Sequence, residues 1–205
     1  MMMKKKRIGI FGGTFDPPHI AHLIIAEQAV QQLKLDVVYF IPAYIPPHKG
    51  HGGMVSANHR WQMVRKAIAG NKKFRTSDIE LKRKGISYTV DTLHAFKDQY
   101  PKSKLFFILG GDNYRQFRLW KSPEEILALA TIVVYHRPGV KQKMNIRNKT
   151  AVFLKGAMFE LSSTMIREQL HRGESIKYLV SPVVERYIHK RSLYNRSNRE
   201  MKVRN

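Results

Sequence analysis

Short apolar runs alternate with amphipathic stretches along this chain. Residues 7–11 read as a buried strand closed by Gly12-Gly13. Residues 20–33 then carry Ile20, Leu23, Ile24, Ala26, Val30 and Leu33 at helical spacing. Residues 37–42 are a second apolar strand, and residues 43–55, rich in Pro, Gly and His, read as a loop. Ser56 caps a predicted helix to about Ala69, with Trp61, Val64 and Ile68 on one face. A strand is expected over 76–81, and a helix from about Thr89 with Val90, Leu93 and Phe96 inside. Residues 105–109 form a dense apolar strand ending at Gly110-Gly111. Residues 123–129 read as a short helix with Pro at its first turn. A strand over 132–135 precedes a turn at Arg137-Pro138-Gly139, and 151–154 is the last predicted strand. Ser162-Ser163-Thr164 caps a helix to about His171, and residues 182–190 form the closing helix.

Strands alternating with helices predict an α/β fold, an open parallel sheet with helices on both faces and a C-terminal helical part. The chain of 205 residues fits one domain, with a basic, frayed tail over about 195–205. Two strands end in glycine pairs. In open α/β sheets the ligand crevice lies beyond the carboxyl ends of the strands, so both pairs should face one crevice.

Charge narrows the partners. Lys and Arg number 37 against 15 Asp and Glu, a formal net charge of +22. That excess suits an anionic substrate, nucleic acid or an anionic membrane, and it also suits a merely self-repelling surface. The absence of cysteine excludes disulfides, thiolate catalysis and Cys-based zinc sites. No apolar run approaches the roughly 20 residues of a membrane helix. The basic start is followed by only four apolar residues, too few for a signal peptide. A cytoplasmic protein without membrane contact is expected.

Gly12-Gly13-Thr14-Phe15-Asp16-Pro17-Pro18-His19-Ile20-Ala21-His22 joins the first strand to the first helix. Glycines there allow close approach to the backbone, and a helix start offers free N–H groups and a positive dipole end. His19 and His22 are three apart and can bring two imidazoles to one phosphate. Neither GxGxxG nor GxxxxGK[ST] is present, so this is a phosphate site of another kind. A zinc site is the rival reading, but it needs a third ligand, and the spacing is not that of zincins.

Leu161-Ser162-Ser163-Thr164-Met165-Ile166-Arg167 is the second motif. Its hydroxyls can cap a helix or bind phosphate oxygens, and Arg167 supplies a charged fork suited to phosphate. Beside the first motif, the phosphate reading is favoured.

These motifs resemble those of the HxGH nucleotidyltransferases, and within them the bacterial nicotinate-nucleotide adenylyltransferases. Four segments carry the resemblance: GGTFDPPHIAH, PAYIPPHK over 42–49, SYTVDTL over 87–93 and SSTMIR over 162–167. Gly110-Gly111-Asp112 followed by Trp120 is also similar, and the likeness spans residues 7–194. Ala21 stands where the family usually has glycine. The resemblance implies a Rossmann-like fold and transfer of the adenylyl group of ATP to nicotinate mononucleotide, yielding deamido-NAD and pyrophosphate in NAD biosynthesis.

The resemblance also implies roles. His19, His22 and Arg167 would be the catalytic groups. Gly12, Gly13, Thr14, Phe15, Ser162, Ser163 and Thr164 would join them in binding ATP. Lys49, Tyr88, Thr89, Gly110, Asp112 and Trp120 would bind the mononucleotide. Trp120 would stack on the pyridine, Thr89 and the helix start after it would receive the carboxylate, and Asp112 would meet a ribose hydroxyl. Mg²⁺ would ride on the nucleotide with few protein ligands, and no dedicated metal site is expected. A homodimer is suggested, without an interface signature in the sequence.

Blander readings exist: core packing for Trp120, a turn for Asp112 and an exposed loop lysine for Lys49. His48, His51 and His59 lie around a glycine-rich loop and do not make a convincing metal cluster. Two rival functions stay in the superfamily, adenylyl transfer to nicotinamide mononucleotide or to phosphopantetheine. A third, nucleic-acid binding, rests on charge alone, since no recognised nucleic-acid module is visible.

Overall fold

The apolar runs form the middle of a parallel sheet. The computed structural model describes residues 5–47, 54–135, 151–156 and 160–195. Its strands are β1 (Arg7–Gly13), β2 (Val37–Pro42), β3 (Phe74–Thr76), β4 (Lys104–Gly110), β5 (Ala130–Tyr135) and β6 (Ala151–Phe153). They pair in the order β3-β2-β1-β4-β5-β6, all parallel. Ile8 sits opposite Val37 on one side and Leu105 on the other. Helices are α1 (Ile20–Leu33), α2 (Ala57–Ala67), α3 (Ile79–Arg83), α4 (Thr89–Gln99), α5 (Gly111–Arg115), α6 (Pro123–Leu129), α7 (Ser163–Arg172) and α8 (Pro182–Lys190), with a 3₁₀ turn at Phe117–Leu119.

Strand alternation sorts the core onto two faces. Phe106 and Ile108 of β4 and Val133 of β5 pack with Ile25, Ala29 and Val30 of α1 and Val64 of α2. Leu105, Phe107 and Leu109 of β4, with Ile132 and Val134 of β5, pack instead with Val90, Leu93 and Phe96 of α4 and Ile126 of α6. Strands buried on both faces read as near-continuous apolar runs, as β4 and β5 do. A third cluster builds the C-terminal helical part: Ile166 of α7, Val184 and Ile188 of α8 and Tyr194 close over Met63 of α2.

The expected bounds of β2, α1, α6 and α8 coincide with the observed ones. The strand expected over 76–81 does not form as such. Pairing runs over Phe74–Thr76 and then α3 begins. Ser77 and Asp78 explain the stop: the Ser77 hydroxyl accepts the N–H of Ile79 at 3.4 Å, and Asp78 pairs with Lys82 one turn on at 3.2 Å. Such local side-chain bonds compete with a sheet ladder. The helix α5 and the 3₁₀ turn were not expected either, being too short to show a period. The turn expected at Arg137-Pro138-Gly139 and the tail from 196 onward lie outside the described residues. No helix among the described residues is long and apolar enough to cross a membrane.

Strand order reverses between β1 and β4, the topological switch point of this sheet class. Gly13 closes β1 and Gly110 closes β4, so the two glycine pairs do flank one crevice.

Candidate active site

A cavity of about 350 Å³ opens at that switch point. Its walls include Gly12, Gly13, Thr14, Phe15, His19 and His22 from the first motif and Ser162, Ser163 and Thr164 from the second. Thr89, Gly110, Asp112 and Trp120 complete the far side. A smaller apolar recess of about 120 Å³ adjoins it, lined by Tyr88, Thr89, Trp120 and Lys121. Of the expected site residues, Arg167 stands behind the wall, and Lys49, with His48 and His51, lies outside the described residues.

The backbone at the end of β1 is shaped by Phe15. Its φ is +51°, a left-handed conformation uncommon for a side-chain-bearing residue, and its ring is buried. A Cβ on Gly13 would come within 3.1 Å of that ring, so glycine there makes room for Phe15. Gly110 is crowded in the same way by the ring of Tyr135, at 3.2 Å from a built Cβ. At both positions glycine serves the fit of an aromatic ring.

His19 takes the N-cap of α1, a position that Ser, Thr, Asp and Asn normally fill, with extended φ and ψ. His22 is the third helical residue, and its Nδ1 accepts the backbone N–H of His19 at 3.1 Å. Nδ1 is thereby an acceptor, so the neutral ring carries its proton on Nε2. The two rings lie 3.7 Å apart, and the edge of Phe15 holds His22 from below at 5.0 Å. No acidic residue occupies the first turn of α1, which leaves its positive dipole end uncompensated. Ala21 is 4% exposed and is not among the residues with positive φ, so the backbone there does not demand glycine.

The hydroxyls of the second motif divide their work. Ser162 caps α7 by accepting the N–H of Met165 at 3.2 Å. Ser163 donates to the carbonyl of Pro17 at 2.8 Å, tying the two motifs together. Thr164 accepts from Arg167 at 3.2 Å, and Arg167 also donates to the carbonyl of Asp16 at 2.8 Å. The first turn of α7 carries no acidic residue either, so two helix N-termini without counter-charge face the cavity.

On the opposite side Trp120 forms a wall of both cavities and packs against Phe107 and Phe117. Wall and core are thus one role for this ring. Thr89 is the first residue of α4. Beside it Lys121 pairs with Asp91 at 3.2 Å and lies over the Tyr88 ring at 4.5 Å. Asp112 sits in the first turn of α5 and pairs with Arg115 at 2.7 Å.

Four buried polar residues escaped the sequence reading. Arg60 is 1% exposed and donates to the carbonyls of Thr14, Ala43, Tyr44 and Val55. Asp16 is 2% exposed and accepts from the Tyr194 hydroxyl at 2.7 Å. Burial pushes the Asp16 carboxyl up, against the pull of Tyr194, Arg167 and Arg60. Tyr194 itself is pushed well up by burial and by the Asp16 charge. Glu80 lines the cavity and accepts from Thr92 at 2.7 Å, and burial raises its carboxyl too. The signals were faint: Arg60 occupies a position on the apolar face of α2, and Asp16 sits inside the first motif.

Among the described residues no three His, Cys, Asp or Glu side chains converge on a metal-sized position. The donor set around the crevice, with imidazoles, hydroxyls and helix N–H groups, suits phosphate oxygens.

The comparisons with known proteins agree with this fold. The cytidylyltransferase-like family model matches residues 10–169. A protein of Shouchella clausii named "probable nicotinate-nucleotide adenylyltransferase" is 44% identical over 94% of this chain and 99% of its own length. A like-named protein of Halalkalibacterium halodurans is 42% identical over 92% of this chain and 91% of its own length. The solved Plasmodium falciparum nicotinic acid mononucleotide adenylyltransferase, complexed with NaAD, shares the fold. It superposes with a TM-score of 0.79 at 21% identity, covering 92% of this chain and 97% of that one.

Proposed function

Because the chain belongs to the nicotinate-nucleotide adenylyltransferases of the cytidylyltransferase-like family, we propose that it is the enzyme that transfers the adenylyl group of ATP to nicotinate mononucleotide, releasing pyrophosphate. The observation that carries the reading at this site is the close His19–His22 pair, set at the sheet's switch point where two helix N-termini with no acidic residue in their first turns meet the cavity.

The chemistry asks for what these residues offer. The attacking mononucleotide phosphate is already ionised at neutral pH, so no general base or nucleophilic side chain is needed. Two anions must be held in line while charge builds at the α-phosphate, a task of positioning and electrostatics. His22, with its proton on Nε2, and His19 serve as donors to that charge. The N-terminus of α7, with Ser162, Ser163, Thr164 and Arg167, takes the departing pyrophosphate. Gly12, Gly13, Thr14 and Phe15 line the path of the triphosphate. Trp120 and Tyr88 flank the pyridine ring, and the first N–H groups of α4 at Thr89 receive its carboxylate. Asp112 meets a ribose hydroxyl, and Lys49 a substrate phosphate. Mg²⁺ would enter as part of the ATP substrate, with few protein ligands, and would supply charge neutralisation. A cytoplasmic location and a homodimer belong to the same reading.

The test offers the purified chain ATP and Mg²⁺ with nicotinate mononucleotide, nicotinamide mononucleotide or phosphopantetheine. Pyrophosphate release is expected with the nicotinate compound in strong preference. Equal or faster release with another acceptor would overturn the acceptor pocket, and release with none would overturn the reading.

A further inference from the structure

We propose that Tyr194 is a positioning residue for the pyrophosphate-holding group: by occupying Asp16, it keeps Arg167 available to the departing phosphates. The inference rests on the assignment of Arg167 and the α7 N-terminus to pyrophosphate.

The last described turn of the chain reaches back 178 residues to the first motif, where the Tyr194 hydroxyl donates to Oδ1 of Asp16 at 2.7 Å. Both residues are buried, Tyr194 at 7% and Asp16 at 2% exposure. Arg167 holds the Asp16 main chain closely, donating to its carbonyl at 2.8 Å, yet stands 4.0 Å from Oδ2 of the same residue. Asp16 therefore has two suitors, a hydroxyl that is satisfied and a guanidinium kept at arm's length. A buried carboxylate stripped of its donor must find another, because leaving it unpaired costs more than a neutral group would. Arg60 is committed to four main-chain carbonyls, so the Arg167 guanidinium, already 4.0 Å away, is the donor left to move, and a bidentate Arg–carboxylate pair would draw its charge away from the cavity.

The backbone points the same way. Tyr194 has φ of +66° and Phe15, next to Asp16, has φ of +51°. Left-handed conformations at residues other than glycine persist only where the surroundings over-determine them. Packing supplies that here: Tyr194 shares a cluster with Ile166, the neighbour of Arg167, and with Met63 of α2. Leu179, in the same cluster, accepts the N–H of Ile20 at the start of α1 at 2.9 Å.

The test titrates inorganic pyrophosphate, and separately nicotinate mononucleotide, into the full chain by calorimetry. Tyr194→Phe keeps the ring and removes the hydroxyl. Its pyrophosphate affinity is expected to fall about tenfold, the low end for losing a hydrogen bond to a charged group. Mononucleotide affinity should stay unchanged. Adding Asp16→Asn to that variant should restore pyrophosphate binding, because a neutral amide does not capture Arg167. Wild-type pyrophosphate affinity in Tyr194→Phe, an equal loss for both ligands, or no rescue by Asp16→Asn each overturns the proposal. Should Tyr194→Phe fail to fold, Asp16→Asn alone decides: binding at least as tight as wild type supports it, and weaker binding overturns it. Arg167→Ala separates the layers. If Arg167→Ala loses pyrophosphate affinity and Tyr194→Phe does not, only the role of Tyr194 falls. If Arg167→Ala binds as wild type does, the assignment of Arg167 falls, and the role of Tyr194 with it.

Discussion

The backbone N–H of His19 donates to Nδ1 of His22, and the two imidazole rings lie 3.7 Å apart. One ring nitrogen of His22 therefore builds the helix start while the other carries the proton offered to the chemistry, and the two tasks can be separated by mutation. His22→Ala should lower kcat by a hundredfold or more, on the order expected for removing a transition-state donor. It should also cost about 1 kcal/mol of stability through the lost cap. His22→Asn offers an oxygen to the same N–H and should recover stability without recovering turnover. Thermal melts and initial rates on both variants check this, and normal turnover in either would remove His22 from the chemistry.

Trp120 presents its ring to the cavity while Phe107 and Phe117 support it from behind. Trp120→Ala removes a stacking surface worth roughly 1 kcal/mol beyond area burial. Mononucleotide affinity should fall roughly tenfold or more, and ATP affinity much less. Calorimetric titration of each nucleotide separates the effects. Equal losses would assign the ring to packing alone.

Long periodic elements were legible because their core faces recur over many residues. The bounds of α1 and α8 follow directly from the spacing of Ile20 to Leu33 and from Pro182 at the first turn of the last helix. The cavity-lining residues His19, His22 and Ser162 to Thr164 were legible because they cluster in two local motifs. The stretch after Thr76 misled because Ser77 and Asp78 override a weak strand signal with local hydrogen bonds. The framework under the site was hidden for a different reason. Arg60 reaches Thr14 across 46 residues, and Tyr194 reaches Asp16 across 178. Such pairings exist only once the sheet has brought both ends together.

Arg60 supplies four hydrogen bonds to main-chain carbonyls from a position 1% exposed, and two of its acceptors, Thr14 and Ala43, belong to cavity-lining residues. Arg60→Met would fill much of the volume but leave those carbonyls without their donor. The expected loss is about 3 kcal/mol or more, since each buried orphan costs about 1–3 kcal/mol. Arg60→Lys cannot fork to all four and should fall between. Urea unfolding measures both. A loss under 1 kcal/mol for Arg60→Met would show that water or backbone shifts replace the guanidinium.

Glu80 gives stability a pH dependence whose sign can be worked out. Burial raises its carboxyl above the ordinary 4.5, and hydrogen bonds from Thr92 and Ser87, with the charges of Arg83 and Arg60, only partly oppose the rise. Between 4.5 and that raised value the folded protein holds a proton that the unfolded chain has released. Stability from this group is therefore full below 4.5 and is lost as pH rises through the folded value. Glu80→Gln removes the titration but keeps an oxygen for Thr92. Whatever constant offset the amide introduces, the stability of Glu80→Gln relative to wild type should climb as pH rises above 4.5 and level once Glu80 has ionised in the folded wild type. Paired thermal melts across that range read the difference directly and cancel the titration of every other carboxyl, Asp16 included. Parallel curves would mean that its hydrogen bonds and neighbouring guanidinium groups fully offset burial. A relative fall with pH would mean that they outweigh it, making Glu80 a stabilising anion in the cavity wall.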